Sequence, residues 1–243
     1  MKGLAIASAI LGSASMAAAH ATFQQLWVDG VDQDTKCARL PPSNSPVTDV
    51  TSPNIRCNVG GAKGVSGVCE ATAGKTMAVE MHQQPGDRKC STEAIGGNHF
   101  GPVMVYMSRV DDAAAADGSG SWFKVDEFGY DADNKTWGTD VLNAGCGKRT
   151  FTVPAHLPAG DYLVRAEAIA LHTASQVGGA QFYMTCYQVK LSSSGSQLPD
   201  GVSLPGAYKA TDPGIKVDIW GNGFKSYEEP GPAKIADSYF RRR

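Results

Sequence analysis

The chain has 243 residues, a formal net charge of −2 and 19% charged residues, enough sequence for one large domain or two small ones. The weak negative charge gives no electrostatic footprint for nucleic acid, so a nucleic-acid partner is not expected. The apolar run at the amino terminus is too short to anchor the chain in a membrane, and no other stretch approaches transmembrane length.

Residues 1–19 have the pattern of a secretory signal peptide. Lys2 gives a positive start, an apolar run follows, and Ala17–Ala19 form a small-residue cleavage site. Cleavage after Ala19 would leave 224 residues, since 19 of the 243 are removed, and the loss of Lys2 would change the formal charge from −2 to −3. We therefore expect a secreted, extracellular protein whose first residue is His20.

A histidine at the amino terminus is an unusual metal ligand because it offers two nitrogen atoms. The ring supplies one, and the free α-amine of His20 supplies the other. The pKa of an α-amine is about 7.7–8.0, so this group can give up its proton to a metal near neutral pH. An internal histidine lacks this second ligand, because its backbone nitrogen is an amide.

Alternation of apolar and polar residues predicts short β-strands rather than long helices. The predicted strands are 76–82, 102–107, 161–169 and 180–191, and long loops are predicted at 31–66 and 108–121. This pattern predicts an all-β protein, an antiparallel β-sandwich of the immunoglobulin or fibronectin type. In the last strand Gln181 and Tyr183 share one face, which on its own indicates a solvated polar face.

The six cysteines are even in number and fall in a chain expected to meet an oxidising compartment, which predicts up to three disulfides with fifteen possible pairings. No CxxC pair is present, which argues against a cysteine zinc site. The sequon Asn134-Lys135-Thr136 predicts N-glycosylation of Asn134 on a surface loop.

The composition changes after residue 191. A serine-rich stretch at 192–196 resembles a linker, and the following residues are rich in Gly and Pro. Small carbohydrate-binding modules normally need disulfides, and no cysteine follows Cys186, so such a module is not expected. We predict that 192–232 wraps the main domain as an extended segment and that 233–243 is a solvated tail.

The histidines differ in their sequence contexts. His99 lies in the Gly-rich loop 96–102 just before a predicted strand, which suits either a binding site or a surface position. His172 follows a strand and, taken alone, indicates a structural residue, as do His82 and His156. His20 and one further histidine would supply three nitrogens, a set that suits Cu(II) with a tyrosine oxygen as a weak axial neighbour. These features predict a secreted copper-binding β protein but no reaction.

Taken together, several segments resemble the fungal lytic polysaccharide monooxygenases of auxiliary activity family 9, formerly glycoside hydrolase family 61. The resemblance extends from His20 to about residue 232, and its combination of motifs is specific although each motif alone is weak. The segments that carry it are residues 20–23, 44–50, 55–58, 98–103, 165–172, 179–186, 204–208 and 212–215.

The resemblance implies a catalytic domain over 20–232 with one copper ion in a histidine brace. His20 would bind copper through its amine and ring, His99 through its ring, and Tyr183 would lie at the axial position. His172 and Gln181 would act with Tyr183 in catalysis by orienting the oxygen species. The resemblance further implies a Cys57–Cys186 disulfide, and a place for Tyr208 on a flat surface where its ring stacks on sugars.

The implied reaction is oxidative cleavage of β-1,4-glucan chains, above all cellulose, at C1 or C4 of a glucose unit. An external electron donor and either dioxygen or hydrogen peroxide would be partners of a monomeric enzyme. Two alternatives remain open at this point. One is a secreted copper-binding protein without oxygenase activity, and the other is a non-catalytic carbohydrate-binding protein.

Overall fold

The computed structural model describes residues 20–235, and most of its regular structure is antiparallel β-sheet. The predicted signal peptide and the last eight residues, 236–243, lie outside the described residues. A single-turn 3-10 helix spans Pro53–Ile55 and helix α1 spans Gly138–Ala144. The strands are β1 (Thr22–Val28), β2 (Val31–Asp32), β3 (Ala38–Arg39), β4 (Cys69–Thr72), β5 (Thr76–His82), β6 (Val103–Val110), β7 (Ser121–Phe128), β8 (Tyr130–Asp131), β9 (Thr136–Trp137), β10 (Lys148–Thr152), β11 (Gly160–Ala170), β12 (Gln181–Ser192) and β13 (Val202–Ser203).

The strands form a sandwich of two main sheets. A four-stranded sheet has the order β10-β5-β1-β2, and a seven-stranded sheet has the order β13-β7-β6-β11-β12-β3 with β4 pairing in parallel with β12. Strands β8 and β9 form a separate hairpin. The predicted antiparallel β-sandwich is therefore confirmed, and β5, β6, β11 and β12 coincide with the four segments of alternating sequence.

The larger sheet is buried on both of its faces. Its inner face packs against the smaller sheet, with residues such as Phe23, Val164 and Tyr187 in the core between them. Its outer face is covered by the loop around residues 47–57 and by the segment 204–227, which form a second core. The interpretation of the Gln181–Tyr183 face as solvated is therefore wrong, because that face lies toward the inner core and Tyr183 is 1% exposed.

Disulfides fix the long loops to the sheets. Cys57 pairs with Cys186, as the resemblance implies, and this bond ties the covering loop to β12. The remaining cysteines pair as Cys37–Cys69 and Cys90–Cys146. The Cys90–Cys146 bond crosses from the long β5–β6 loop to the end of α1. The β5–β6 loop carries His99, so the bond restrains a segment that bears a predicted ligand.

The segment after β12 lies against the outer core of the larger sheet. Strand β13 extends the larger sheet beside β7, and Lys124 donates from its Nζ to the carbonyl oxygen of Pro230 at 3.0 Å. The backbone of Ile235 also donates to the carbonyl of Lys124. Packing therefore continues past residue 232, at least as far as residue 235. Within the described residues no helix has the length and apolar character that crossing a membrane requires.

Asn134 lies in the exposed turn between β8 and β9. Its side-chain nitrogen donates to Asp131 Oδ2 at 2.7 Å, and the next residue, Lys135, has a positive φ of 52°. Glycosylation of Asn134 stays a prediction, and the exposure of the turn is compatible with it. Secretion from a fungal host should give a chain whose mass falls on treatment with an endoglycosidase, and an Asn134→Gln chain whose mass does not.

His82 is a buried structural residue in a cluster around Glu80. The Glu80 carboxylate accepts hydrogen bonds from Trp27 Nε1 at 2.6 Å and from Arg88 at 2.9 and 3.0 Å, and it contacts His82 Nε2 at 2.8 Å. Burial alone would raise the pKa of Glu80, but the hydrogen bonds from His82, Arg88 and Trp27 outweigh it and lower this pKa to about 2. Glu80 is thus stabilised as an anion in the folded protein.

Glu80 should make the stability of the protein depend on acid pH. A carboxylate whose pKa is lower in the folded than in the unfolded chain stabilises the fold above the unfolded pKa, and this contribution is lost as the pH falls toward about 2. We expect Glu80→Gln to lower the free energy of unfolding near pH 7 by about 3 kcal/mol and to flatten its decline below pH 4.5. Denaturant unfolding at several pH values measures both effects. Glu70→Gln, at an exposed site on β4, is the control, and an equal effect there would contradict the assignment.

Candidate metal centre

The structure brings five predicted site residues together at one edge of the sandwich. His20 precedes β1, His99 lies in the loop before β6, and His172 lies in the loop between β11 and β12. Gln181 opens β12 opposite Ala170 of β11, and Tyr183 follows two residues later. The cluster forms because these strands are held in register by the sheets.

Glycine allows the His99 loop to approach the sheet closely. The backbone amide of Thr139 donates to the carbonyl of Gly101 at 3.1 Å, and Leu171 N donates to Phe100 O at 2.9 Å. A Cβ atom at Gly101 would overlap the carbonyl oxygen of Ile169, so a larger residue would displace the loop from β11. The Gly-rich loop therefore holds His99 at the site, and His99 is buried.

The ring of His20 lies 6.4 Å from the ring of His99, measured between centroids, with an angle of 70° between the planes. A metal–imidazole bond is about 2.0 Å and a ring nitrogen lies about 1.1 Å from its centroid, so two rings on opposite sides of one ion have centroids about 6.2 Å apart. The Tyr183 ring lies 6.3 Å from His20 and 5.9 Å from His99. The spacing fits a single metal ion between the two imidazoles, with Tyr183 to one side.

His99 is held in the neutral form that binds metals. Burial, the neighbouring His172 and His20 lower the pKa of His99 to about 4, although hydrogen bonding partly opposes them. Its imidazole is therefore neutral at physiological pH without any metal. The ring of His172 lies 4.5 Å from that of His99, and burial followed by the charge of His20 lowers the pKa of His172 as well.

Tyr183 and Gln181 form a hydrogen-bonded pair beside the two imidazoles. The Tyr183 hydroxyl donates to Gln181 Oε1 at 2.8 Å, which leaves the amide nitrogen of Gln181 as a donor. Burial raises the pKa of Tyr183 well above its ordinary value, so the phenol stays protonated. His172 Nδ1 is buried without a hydrogen-bond partner among residues 20–235.

Side chains alone do not complete a metal site. Among residues 20–235, no group of three or more His, Cys, Asp or Glu side chains is placed to hold a metal ion. Two imidazoles and a tyrosine therefore need a further donor, which the α-amine of His20 would supply. That amine exists only when the chain begins at His20, so the donor set depends on the predicted cleavage after Ala19.

Asn44 is a site residue to which the sequence assigned no role, although it lies in one of the segments that carry the resemblance. Its side-chain nitrogen donates to the carbonyl oxygen of Gln83 at 2.8 Å and lies 3.4 Å from that of His20. It thereby connects the residue after β5 to His20, the residue that the predicted cleavage would place first. This contact restrains the backbone that carries the predicted amine ligand.

Tyr208 does not lie on the surface, and the prediction that its ring stacks on substrate is wrong. Tyr208 is 3% exposed, its hydroxyl donates to Glu167 Oε2, and it meets the Tyr106 hydroxyl at 2.8 Å. The aromatic side chain exposed beside the site is Trp220, which is 56% exposed and donates from Nε1 to the carbonyl oxygen of His172. A lone Trp in a Gly- and Pro-rich segment was the only sequence signal for it.

The sequence profile described as Auxiliary Activity family 9 (formerly GH61) matches residues 20–227. The chain belongs to this family. Members are lytic polysaccharide monooxygenases, so the chain is an oxidoreductase that cleaves polysaccharides oxidatively, with a metal and a redox partner. Family 9 enzymes are secreted proteins.

Relatives and solved structures of family 9 cover nearly the whole chain. The AA9 family lytic polysaccharide monooxygenase E of Botryotinia fuckeliana (strain B05.10) is 55% identical over 97% of this chain and 99% of its own length. The AA9 family lytic polysaccharide monooxygenase B of Thermothelomyces thermophilus is 62% identical over 90% of this chain and 70% of its own. The structure of CvAA9A superimposes with a TM-score of 0.83 at 34% identity, covering 89% of this chain and 98% of that one.

Proposed function

We propose that the metal is copper and that the substrate is cellulose, cleaved at C1 or C4 of a glucose unit. The observation that carries the proposal is the nitrogen-rich donor set, with the rings of His20 and His99 6.4 Å apart across the space for one ion. Such a set suits copper, which favours tetragonal nitrogen-rich geometry and heads the divalent affinity order. Carboxylate ligands, which would favour Mg²⁺ or Ca²⁺, are not part of the described cluster.

Some residues of the site would bind the ion, and others would orient the oxygen co-substrate. The amine and ring of His20 and the ring of His99 would hold the ion, and Tyr183, a protonated phenol, would lie beside it. Gln181, fixed by its hydrogen bond to Tyr183, and His172 would orient the oxygen co-substrate. Bound copper would supply the redox chemistry, drawing an electron from an external donor and using dioxygen or hydrogen peroxide.

Trp220 supports a polysaccharide as the substrate. Its exposed indole lies beside His172, and a flat aromatic ring offers a rigid apolar face that packs against a sugar ring. A sugar chain stacked on Trp220 would therefore lie next to His172, one of the residues of the candidate metal centre. We therefore assign to Trp220 the stacking role that the family resemblance implies for Tyr208.

Product analysis tests the proposal. Protein that begins at His20 is loaded with copper and incubated with cellulose and ascorbate, and the products are measured by mass spectrometry. We expect aldonic acids or C4-oxidised sugars, and the mass pattern identifies the oxidised carbon. Native, unoxidised oligosaccharides would contradict the proposal. Copper bound with no products at all would favour a copper-binding protein without oxygenase activity.

His172→Ala tests the role of His172 separately from copper binding. His172 would not bind the ion, so copper affinity measured by calorimetry should change less than about threefold. Oxidised products should fall about 10- to 100-fold, as for other residues that orient a metal site from outside its ligand set. His156→Ala is a matched control. His156 follows β10, whose last residue pairs with the first residue of β5, whereas the site lies near the last residue of β5. Equal loss in both variants would contradict a specific role.

A further inference from the structure

Trp220 makes a contact that stacking on sugar does not require. Its indole Nε1 donates to the carbonyl oxygen of His172 at 2.9 Å, although the side chain is 56% exposed. The same ring meets the Phe100 ring edge to face, with centroids 5.8 Å apart and an angle of 76°. Phe100 directly follows His99. Trp220 therefore contacts the backbone of His172 and the side chain next to His99.

The loop that carries His172 is bounded by further hydrogen bonds. Leu171 N donates to Phe100 O at 2.9 Å, and Val217 N donates to Ala174 O at 2.9 Å. The Thr173 hydroxyl closes the loop on Gly179 O at 2.7 Å. These bonds hold the residues on either side of His172, and the indole of Trp220 holds the carbonyl of His172 itself.

We infer that Trp220 is a positioning residue for His172. Its indole N–H fixes the backbone of His172, and its edge contact with Phe100 fixes that segment against the His99 loop. Together they set the 4.5 Å spacing between the rings of His99 and His172. The inference rests on the proposed function, because it assigns His172 a task beside the metal. Beyond the stacking of its ring on sugar, Trp220 would then contribute to the reaction through its indole nitrogen, which holds His172.

The physical reason lies in the sensitivity of catalysis to small displacements. A misplacement of about 1 Å can cost about 100-fold in rate. An exposed hydrogen bond competes with water and so contributes little to stability. A polysaccharide chain lying on the indole would exclude water and strengthen the bond, because a hydrogen bond is stronger where the local dielectric constant is low. The bond would therefore hold His172 most firmly when substrate is present.

Two substitutions separate the ring from its N–H group. Trp220→Phe keeps an aromatic face and removes the donor, whereas Trp220→Ala removes both. Val177→Ala is the control, because Val177 is an exposed side chain of the same loop and is 58% exposed. For all four chains we would measure thermal melting, binding of the copper-free protein to cellulose, and the rate of oxidised-product formation at saturating substrate.

A readout independent of activity comes from hydrogen exchange in the copper-free protein. The amides of Ala174 and Gly179 donate within the loop, to Leu171 O and Gln176 O, so their exchange reports its opening. For Trp220→Phe we expect about 10-fold faster exchange at these amides, as one lost hydrogen bond predicts. We also expect cellulose binding within about twofold and product formation reduced about 10-fold. Trp220→Ala should show the same changes and weaker binding, and Val177→Ala should resemble the unsubstituted chain.

The outcomes separate the inference from the proposed function. Unchanged exchange and unchanged product rate in Trp220→Phe would overturn the positioning role and leave stacking alone. Faster exchange with an unchanged product rate would also overturn it, because the loosened loop would not matter for the reaction. If the unsubstituted protein makes no oxidised products, the proposed function fails. Unchanged exchange in Trp220→Phe shows instead that the hydrogen bond from Trp220 Nε1 to His172 O does not restrain the loop.

Discussion

A chain in which an acetylated Ala19 precedes His20 is expected to bind copper at least about 100-fold more weakly than the chain that begins at His20. The extension converts the α-amine of His20 into an amide, which has no comparable lone pair to give to the metal. The acetyl group prevents the new terminus from replacing it. Substitution of a residue outside the ligand set typically lowers metal affinity 10- to 100-fold, and loss of a direct ligand should lower it at least as much.

Calorimetry with Cu²⁺ measures this effect, and oxidised products from cellulose should disappear in parallel. The unextended chain is the reference, and His99→Ala supplies a matched loss of one ring ligand. The described residues offer no cluster of three metal-binding side chains that could take over. Equal copper affinity with and without the extension would refute the brace. It would favour the non-catalytic carbohydrate-binding protein, which does not need a free amine at His20.

A second large effect is expected from Glu167, which lies fully buried beneath the segment that carries Trp220. Its carboxylate pairs with Arg165, also 0% exposed, and accepts a hydrogen bond from Tyr208. Burial alone would lower the pKa of Arg165, but Glu167 outweighs it and raises this pKa, so the guanidinium remains charged. Glu167→Gln would leave a buried cation without its counter-charge, and we expect the free energy of unfolding to fall by about 3–5 kcal/mol.

Denaturant unfolding measures the loss, with exposed Glu228→Gln as the matched control, expected to stay within about 0.5 kcal/mol. Tyr208→Phe removes one hydrogen bond to a charged group and should cost about 1.5–3 kcal/mol. A Glu167→Gln chain as stable as the unsubstituted one would show that the carbonyl groups of Ile55 and Arg56, which also accept from Arg165, satisfy the charge alone.

The strands of the sandwich could be predicted because alternation is a local property. In 76–82 and 161–169, each residue's neighbours two positions away already show which side chains share a face. The same reasoning placed Gln181 and Tyr183 together. It could not tell which face would be covered, since that depends on a second sheet and on distant loops, and it therefore misread this face as solvated.

The candidate metal site could be predicted from sequence for a different reason. His20 follows a cleavage pattern that is itself local, and His99, His172, Gln181 and Tyr183 were placed by resemblance of short motifs. Their assembly depends on pairings such as Ala170 with Gln181, which join segments that lie 11 residues apart in the chain. The structure adds the 6.4 Å spacing between the two imidazoles, which no motif contains.

The sequence by itself determined the β character of the chain, its candidate ligands and its family resemblance, because these reside in residue type and short spacing. Only the tertiary structure decided which aromatic residue faces solvent. Tyr208 and Trp220 lie in the same Gly- and Pro-rich segment, yet Tyr208 is buried against Glu167 while Trp220 is exposed beside His172. Burial depends on partners that are distant in the chain. A segment without alternating apolar residues has no sequence pattern that indicates which of its side chains are buried.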